Sequence, residues 1–61
     1  MRESRPIPLV LVVDDDLAMR MLAAEALTTN GFAVEECQSG EEALECFERL
    51  APDAVLLDVV M

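Results

Sequence analysis

The sequence predicts an α/β domain with the element order β-α-β-α-β and a parallel sheet of strand order 2-1-3. Short aliphatic runs of strand length alternate with longer amphipathic segments that carry helix start and stop signals. One predicted strand is apolar on both faces, whereas another carries two glutamates. The first therefore belongs at the centre of the sheet and the second at its edge.

The first strand is predicted at 9–13, where every residue is Leu or Val. The run lies between Pro8 and Asp14 and has the length of a strand. Apolar side chains on both faces are typical of a buried parallel strand. Residues 1–8 form a polar N-terminal lead before it, and we expect this lead to be extended.

The first helix is predicted at 17–30. Asp16 is a plausible N-cap, and Gly31 supplies a residue that readily adopts the left-handed conformation after a helix. An apolar stripe is expected to face the sheet, and Met19 is expected to fill the core rather than bind a ligand. The expected stripe consists of Leu17, Met21, Ala24 and Leu27, widened by Leu22 and Ala26.

The second half of the chain continues the alternation. A second strand is predicted at 32–37 and a second helix at 40–51. Ser39 and Glu42 match the capping box that starts a helix, and Pro52 ends the helical pattern. A third strand is predicted at 54–60, aliphatic except for Asp58.

Composition excludes several classes of function. The 61 residues include 13 Asp and Glu, 4 Arg and no Lys, for a net charge of -9, so we expect no direct nucleic-acid binding by this segment. No apolar run reaches the length of a signal sequence or membrane span.

Two cysteines without histidine make neither a disulfide framework nor a zinc site. We expect Cys37 and Cys46 to be reduced, buried thiols in a cytoplasmic protein.

Three carboxylates are predicted to meet at one edge of the sheet. Asp14 and Asp15 follow the first strand, and Asp58 lies near the end of the adjacent third strand. Ligands of such folds bind at the carboxyl ends of the strands, where the helices diverge. Clustered carboxylates favour a divalent cation, and Mg²⁺ prefers oxygen ligands. An Asp beside that ion can attack a phosphoryl donor to form an aspartyl phosphate.

Four sequence blocks resemble successive landmarks of CheY-like response regulator receiver domains, in the correct order and at the correct spacing. These blocks are 12–15 (VVDD), 31–34 (GFAV), 39–44 (SGEEAL) and 52–61 (PDAVLLDVVM). The resemblance covers nearly the whole chain after Pro8. It implies that 9–61 is the N-terminal half of a flavodoxin-like, doubly wound receiver fold.

The resemblance also implies a function for particular residues. Asp58 would be the phosphoacceptor, Asp15 a direct Mg²⁺ ligand and Asp14 a ligand through water. The backbone carbonyl of Val60 would complete the metal site. Such a module is a switch rather than an enzyme: a histidine kinase or phosphotransfer protein supplies the phosphoryl group, and an output domain or effector would lie beyond Met61.

The chain departs from the family pattern in its length. The later Ser or Thr that senses the phosphate has no counterpart here, nor does the later Lys that contacts it. The family covers the third strand with a fourth. An exposed strand edge invites pairing with another chain, so we expect self-association through this edge.

Two alternatives remain at this stage. Asp14-x-Asp16 after an apolar strand resembles the first motif of haloacid-dehalogenase-type phosphatases, in which the first Asp is the nucleophile and the second a general acid. Ala18 stands where that family usually has Thr or Val, and the motif leaves Asp58 unexplained. The other alternative is a receiver-like interaction module that is not phosphorylated, because a fold does not fix a function.

Overall fold

The predicted order of strands and helices is confirmed in the structure, a computed structural model that describes residues 6–57. The strands form one parallel sheet of order β2-β1-β3, also as predicted. The helices each end one residue earlier than expected, β2 begins one residue later, and residues 58–60 of the predicted third strand lie outside the described residues. The elements are β1 (Leu9–Val13), α1 (Leu17–Thr29), β2 (Ala33–Cys37), α2 (Gly40–Leu50) and β3 (Ala54–Leu57).

The central strand β1 forms most of the core. Its last four residues, Val10 to Val13, are all buried. Leu11 and Val13 point to the face covered by α2, where they cluster with Cys37 and Cys46. Helix α1 covers the opposite face, beside Val12. The two helices therefore lie on opposite sides of the sheet, as in a doubly wound fold.

The edge position of β2 follows from its polar residues. Leu11 pairs with Glu35 and Val12 with Glu36 in the parallel register between β1 and β2. Glu36 is exposed and Glu35 is half-buried. A strand with carboxylates could not lie between two others without burying charge, so β1 occupies the centre.

The exposed face of α1 differs from the prediction. Met19 and Met21 are 48% and 56% exposed, and Leu17 and Leu22 are exposed as well, so their assignment to the core is wrong. The side of α1 turned to the sheet consists of the partly buried Arg20, Ala23, Ala24 and Leu27. Apolar residues surround this helix, so the sequence pattern did not specify one face.

No helix in residues 6–57 combines the length and apolarity needed to cross a membrane.

Helix α2 has a clearer buried side. Cys46 is buried, and Ala43 and Leu50 pack against the core cluster. Leu44 and Phe47 remain exposed, and together with Val55 they line an apolar cleft of ≈ 360 Å³ beside the sheet. Ser39 caps the helix as predicted, because its Oγ accepts a hydrogen bond from the Glu42 amide at 3.2 Å.

The two helices end with left-handed residues of different kinds. After α1, the Gly31 amide donates to the Thr28 carbonyl and the Phe32 amide to the Leu27 carbonyl, which is a Schellman motif. Gly31 has φ 91°, a conformation that costs glycine little. After α2, Ala51 has φ 46°, although it carries a Cβ. The backbone of Ala51 is therefore strained.

Asp53 joins the beginnings of β1 and β3. The Leu9 amide donates to Asp53 Oδ2 at 2.7 Å, and the Asp53 amide donates to the Leu9 carbonyl at 2.8 Å. These bonds adjoin the pairing of Val10 with Ala54, which sets the register of β3. The register in turn determines which residues of β1 and β3 reach the carboxyl edge of the sheet together.

Relief of the strain at Ala51 is expected to stabilise the fold. Ala51→Gly should raise the free energy of unfolding by about 0.5–1 kcal/mol, because the left-handed penalty exceeds the added chain entropy of glycine. The matched control is Gly31→Ala. It should lower the free energy by about 1 kcal/mol through the backbone alone, since nothing lies within 4 Å of the added Cβ. Urea unfolding measures both, and a destabilised Ala51→Gly variant would contradict the strain.

The free side of β3 is expected to drive self-association. All four residues of β3 are exposed, and no strand pairs with its outer side among residues 6–57. We therefore expect the sedimentation coefficient of the chain to rise with concentration. Val55→Lys should suppress this rise because a charge on an edge opposes strand pairing, whereas Glu48→Lys on α2 should not. A sharp, cooperative melt of a monomer at every concentration would count against edge pairing.

Candidate functional site

The carboxyl end of β1 carries the predicted acidic cluster. Asp14 follows the strand directly and is only 7% exposed, whereas Asp15 and Asp16 are exposed. The Asp14 amide donates to the Cys37 carbonyl at 3.1 Å, so the pairing of β1 with β2 continues through Asp14. The sheet therefore fixes the backbone of Asp14, while Asp15 lies in the loop that leads to α1.

The side chain of Asp14 is held by the same loop. Its Oδ1 accepts a hydrogen bond from the Asp16 amide at 2.9 Å. This short-range bond closes an Asx-type turn and sets the direction of the carboxylate. Asp14 thus presents a buried, oriented oxygen donor at the edge of the sheet.

Asp16 has the structural role predicted for it. Its Oδ1 accepts hydrogen bonds from the Ala18 amide at 2.9 Å and the Met19 amide at 3.3 Å. The residue has extended backbone angles, as an N-cap requires. The carboxylate of Asp16 is therefore engaged by the first turn of α1.

Arg20 contributes to this site, and the sequence analysis did not identify it. Its Nη1 donates to the Asp14 carbonyl at 2.8 Å, and its Nε lies 3.2 Å from Glu36 Oε1. The Arg20 side chain is only 13% exposed. It therefore connects α1 to the end of β1 and to the edge strand β2. A lone cation on an otherwise largely apolar helix, one turn after the acidic cluster, was the available signal.

A small cleft opens beside Asp14. It has a volume of ≈ 210 Å³ and lies between α1 and the carboxyl ends of β1 and β3. Among residues 6–57, Asp14 is the one acidic residue in a lining that is otherwise apolar, formed by Val12, Val13, Met19, Ala23, Leu56 and Leu57. The cleft has the position at which ligands bind in open α/β sheets.

The structure describes part of the predicted metal site. Asp14 and Asp15 are adjacent at the expected edge, whereas Asp58 and Val60 lie outside the described residues. Within residues 6–57, no three Asp, Glu, His or Cys side chains are placed to hold a metal ion. The two described carboxylates offer only oxygen donors, the ligand type that Mg²⁺ prefers.

Sequence comparisons identify the family. Residues 10–61 match the response regulator receiver domain. Response regulator MprA of Mycobacterium sp. (strain KMS) is 50% identical over 52 residues, which cover 85% of this chain and 23% of that protein. MprA of Mycolicibacterium vanbaalenii is 50% identical over 52 residues, covering 85% of this chain and 22% of that protein. MprA of Mycobacterium leprae is 48% identical over 52 residues, which cover 85% of this chain and 23% of that protein.

The chain thus spans less than a quarter of the length of these curated relatives. No solved structure matched it significantly. The family match nevertheless extends from the second residue of the central strand to the last residue of the chain, and it agrees with the parallel sheet of order β2-β1-β3. The chain belongs to the response regulator receiver domain family of two-component signal transduction.

Proposed function

We propose that this chain carries the phosphoacceptor site of a response regulator, with Asp58 as the residue that accepts the phosphoryl group. The observation that supports it most directly is the register of β1 and β3, in which Val13 pairs with Leu57. In sequence, Asp14 directly follows Val13 and Asp58 directly follows Leu57. Adjacent parallel strands end at the same edge of the sheet, so this register favours a shared site for the two carboxylates.

We further propose that Asp14, Asp15, Asp58 and the backbone carbonyl of Val60 hold one Mg²⁺ ion. The donor set fits, because Mg²⁺ takes one or two carboxylates, carbonyl oxygen, water and a phosphate oxygen. When bound, the ion would neutralise negative charge on the transferring phosphoryl group. Asp14 is buried and oriented, whereas Asp15 is exposed, so the two acids offer one fixed and one adaptable donor.

The chain positions Asp14 before any ligand arrives. The Asp16 amide holds Asp14 Oδ1, the Cys37 carbonyl accepts from the Asp14 amide, and Arg20 donates to the Asp14 carbonyl. Three contacts on one residue reduce the conformational freedom that would otherwise be lost on binding. The aligned amides of α1 add a partial positive charge near the cluster.

The phosphatase alternative loses its main support. It needs Asp16 as a general acid, but the Asp16 carboxylate caps α1 and accepts two backbone hydrogen bonds. The family match also places the chain among receiver domains. A receiver-like module that is not phosphorylated remains the alternative, and phosphate labelling separates it from the proposal.

The proposal implies partners outside this chain. A histidine kinase or phosphotransfer protein would supply the phosphoryl group, and an output domain or effector would respond to it. The receiver itself would act as a cytoplasmic switch rather than as an enzyme. With a net charge of -9, this segment would leave any contact with nucleic acid to another part of the protein.

Phosphorylation of Asp58 is tested by labelling. The protein that carries this chain should take up phosphate from acetyl phosphate in the presence of Mg²⁺, in an acid-stable but base- and hydroxylamine-labile form. Asp58→Asn should abolish the label because it removes the nucleophile, and Asp14→Asn should reduce it because it weakens the metal site. The label is measured by autoradiography and peptide mass spectrometry.

Asp16→Asn is the matched control for this experiment. Asn is as good an N-cap as Asp, so the variant should fold and be labelled like the wild type. A label that survives Asp58→Asn and vanishes with Asp14→Asn would contradict the proposal and favour an Asp14 nucleophile. A folded protein that takes up no phosphate would favour the interaction module.

Arg20 is expected to stabilise the acidic loop. Arg20→Met keeps most of the aliphatic stem but leaves the Asp14 carbonyl without its guanidinium donor, so it should lower the free energy of unfolding by about 1–2 kcal/mol. Glu36→Gln removes only the partly exposed ion pair and should cost less than about 1 kcal/mol. Urea unfolding of both single variants and the double variant measures the coupling. Equal costs for the two single variants would contradict a main role for the bond to Asp14.

A further inference from the structure

Two thiols that the proposed function does not use lie in contact. Cys37 ends β2 and Cys46 lies on α2, and both are free and buried, with exposures of 0% and 6%. Cys37 Sγ donates a hydrogen bond to Cys46 Sγ across 3.4 Å. The pair is part of the core cluster between the sheet and α2. The fold has therefore brought together the only two cysteines of the sequence.

We propose that Cys37 and Cys46 form a reversible intramolecular disulfide when the protein meets a hydroperoxide. A disulfide needs the sulfurs about 2.05 Å apart, so the native contact must shorten by little more than an ångström. Eight residues separate the two cysteines along the chain, and the sheet and α2 already hold the ends of this loop together. Because folding already closes this loop, forming the disulfide carries little further entropic cost of loop closure.

The surroundings of the two sulfurs assign them different roles. Cys46 is the more accessible of the two, and the Arg49 guanidinium contacts it, with Nη2 3.8 Å from its Sγ. Cys37 is fully buried. We therefore assign Cys46 as the thiol that the peroxide oxidises and Cys37 as the thiol that resolves the product.

The chemistry balances with hydrogen peroxide as the oxidant. The Cys46 thiolate attacks one peroxide oxygen and breaks the O–O bond, which gives a sulfenic acid and hydroxide. Hydroxide removes the proton of the Cys37 thiol to form water. The Cys37 sulfur then attacks the Cys46 sulfur, and the displaced hydroxide takes the proton first lost by Cys46 to form the second water. Two thiols and one peroxide thus become one disulfide and two waters.

The disulfide would lie one hydrogen bond from the acidic cluster. The Cys37 carbonyl accepts from the Asp14 amide at 3.1 Å, so the residue that joins the disulfide also holds the backbone of Asp14. Oxidation would therefore act on the end of β2 that supports Asp14. The disulfide itself does not depend on the proposed phosphorylation, because the two thiols meet in the fold whether or not Asp58 accepts phosphate.

The experiment compares native and unfolded protein. After mild hydrogen peroxide, the native protein should lose two hydrogens in mass, with a peptide map that joins Cys37 to Cys46, and dithiothreitol should reverse the change. The bond should form at least tenfold faster in native buffer than in guanidinium chloride, because only the fold holds the sulfurs in contact. Free thiols after peroxide treatment of native protein, or equal rates in the two solvents, would overturn the proposal.

Single variants test the order of attack. In Cys37→Ser, the remaining Cys46 should form a sulfenic acid that dimedone traps. In Cys46→Ser, the buried Cys37 should give little adduct. Circular dichroism establishes that each variant is folded before oxidation. Equal trapping in the two folded variants, or stronger trapping of Cys37, would overturn the assigned roles. The labelling of Asp58 is a separate readout, so failure of either proposal leaves the other measurable.

Discussion

Burial of β1 on both faces is the constraint on which the rest of this structure depends. Val10 to Val13 cannot be exposed to water without losing the hydrophobic stabilisation of four buried side chains, so a helix must cover each face. A strand on each side then pairs its backbone groups. The divergence of α1 and α2 to opposite faces follows, and it opens the sheet edge at which Asp14 lies.

The polar contacts of the acidic edge are arranged around that strand. Asp14 continues the β1–β2 pairing, Asp16 begins α1, and Arg20 returns from α1 to the Asp14 carbonyl and Glu36. Each of these polar groups satisfies backbone groups that a strand end or helix start would leave unpaired. The same bonds that complete the secondary structure therefore orient Asp14, the candidate ligand.

The sequence predicted what depends on local or strongly patterned signals. Four predictions were correct: the burial of β1, the edge position of the glutamate-bearing strand β2, and the helix caps at Asp16 and Ser39. Each rests on a short sequence pattern with one favoured structure. The inward face of α1 was only partly correct. Ala24 and Leu27 are partly buried as predicted, but Leu17, Met21, Leu22 and Ala26 are exposed, because apolar residues surround the helix. The contacts of Arg20 with Asp14 and of Cys37 with Cys46 depend on how consecutive elements pack against one another, and the sequence offered at most an indirect signal for them, such as the lone cation of α1. The placement of Asp58 remains a prediction from the register of β3.

The paired bonds between Leu9 and Asp53 have a consequence for how the chain acquires its shape. They join residues 44 positions apart, so β1 cannot gain β3 as its second neighbour until the residues between them have been synthesised. Non-local pairing of this kind slows folding and leaves aliphatic segments uncovered during synthesis. During synthesis, the aliphatic strand β1 therefore exists for a time without the neighbour that completes its pairing.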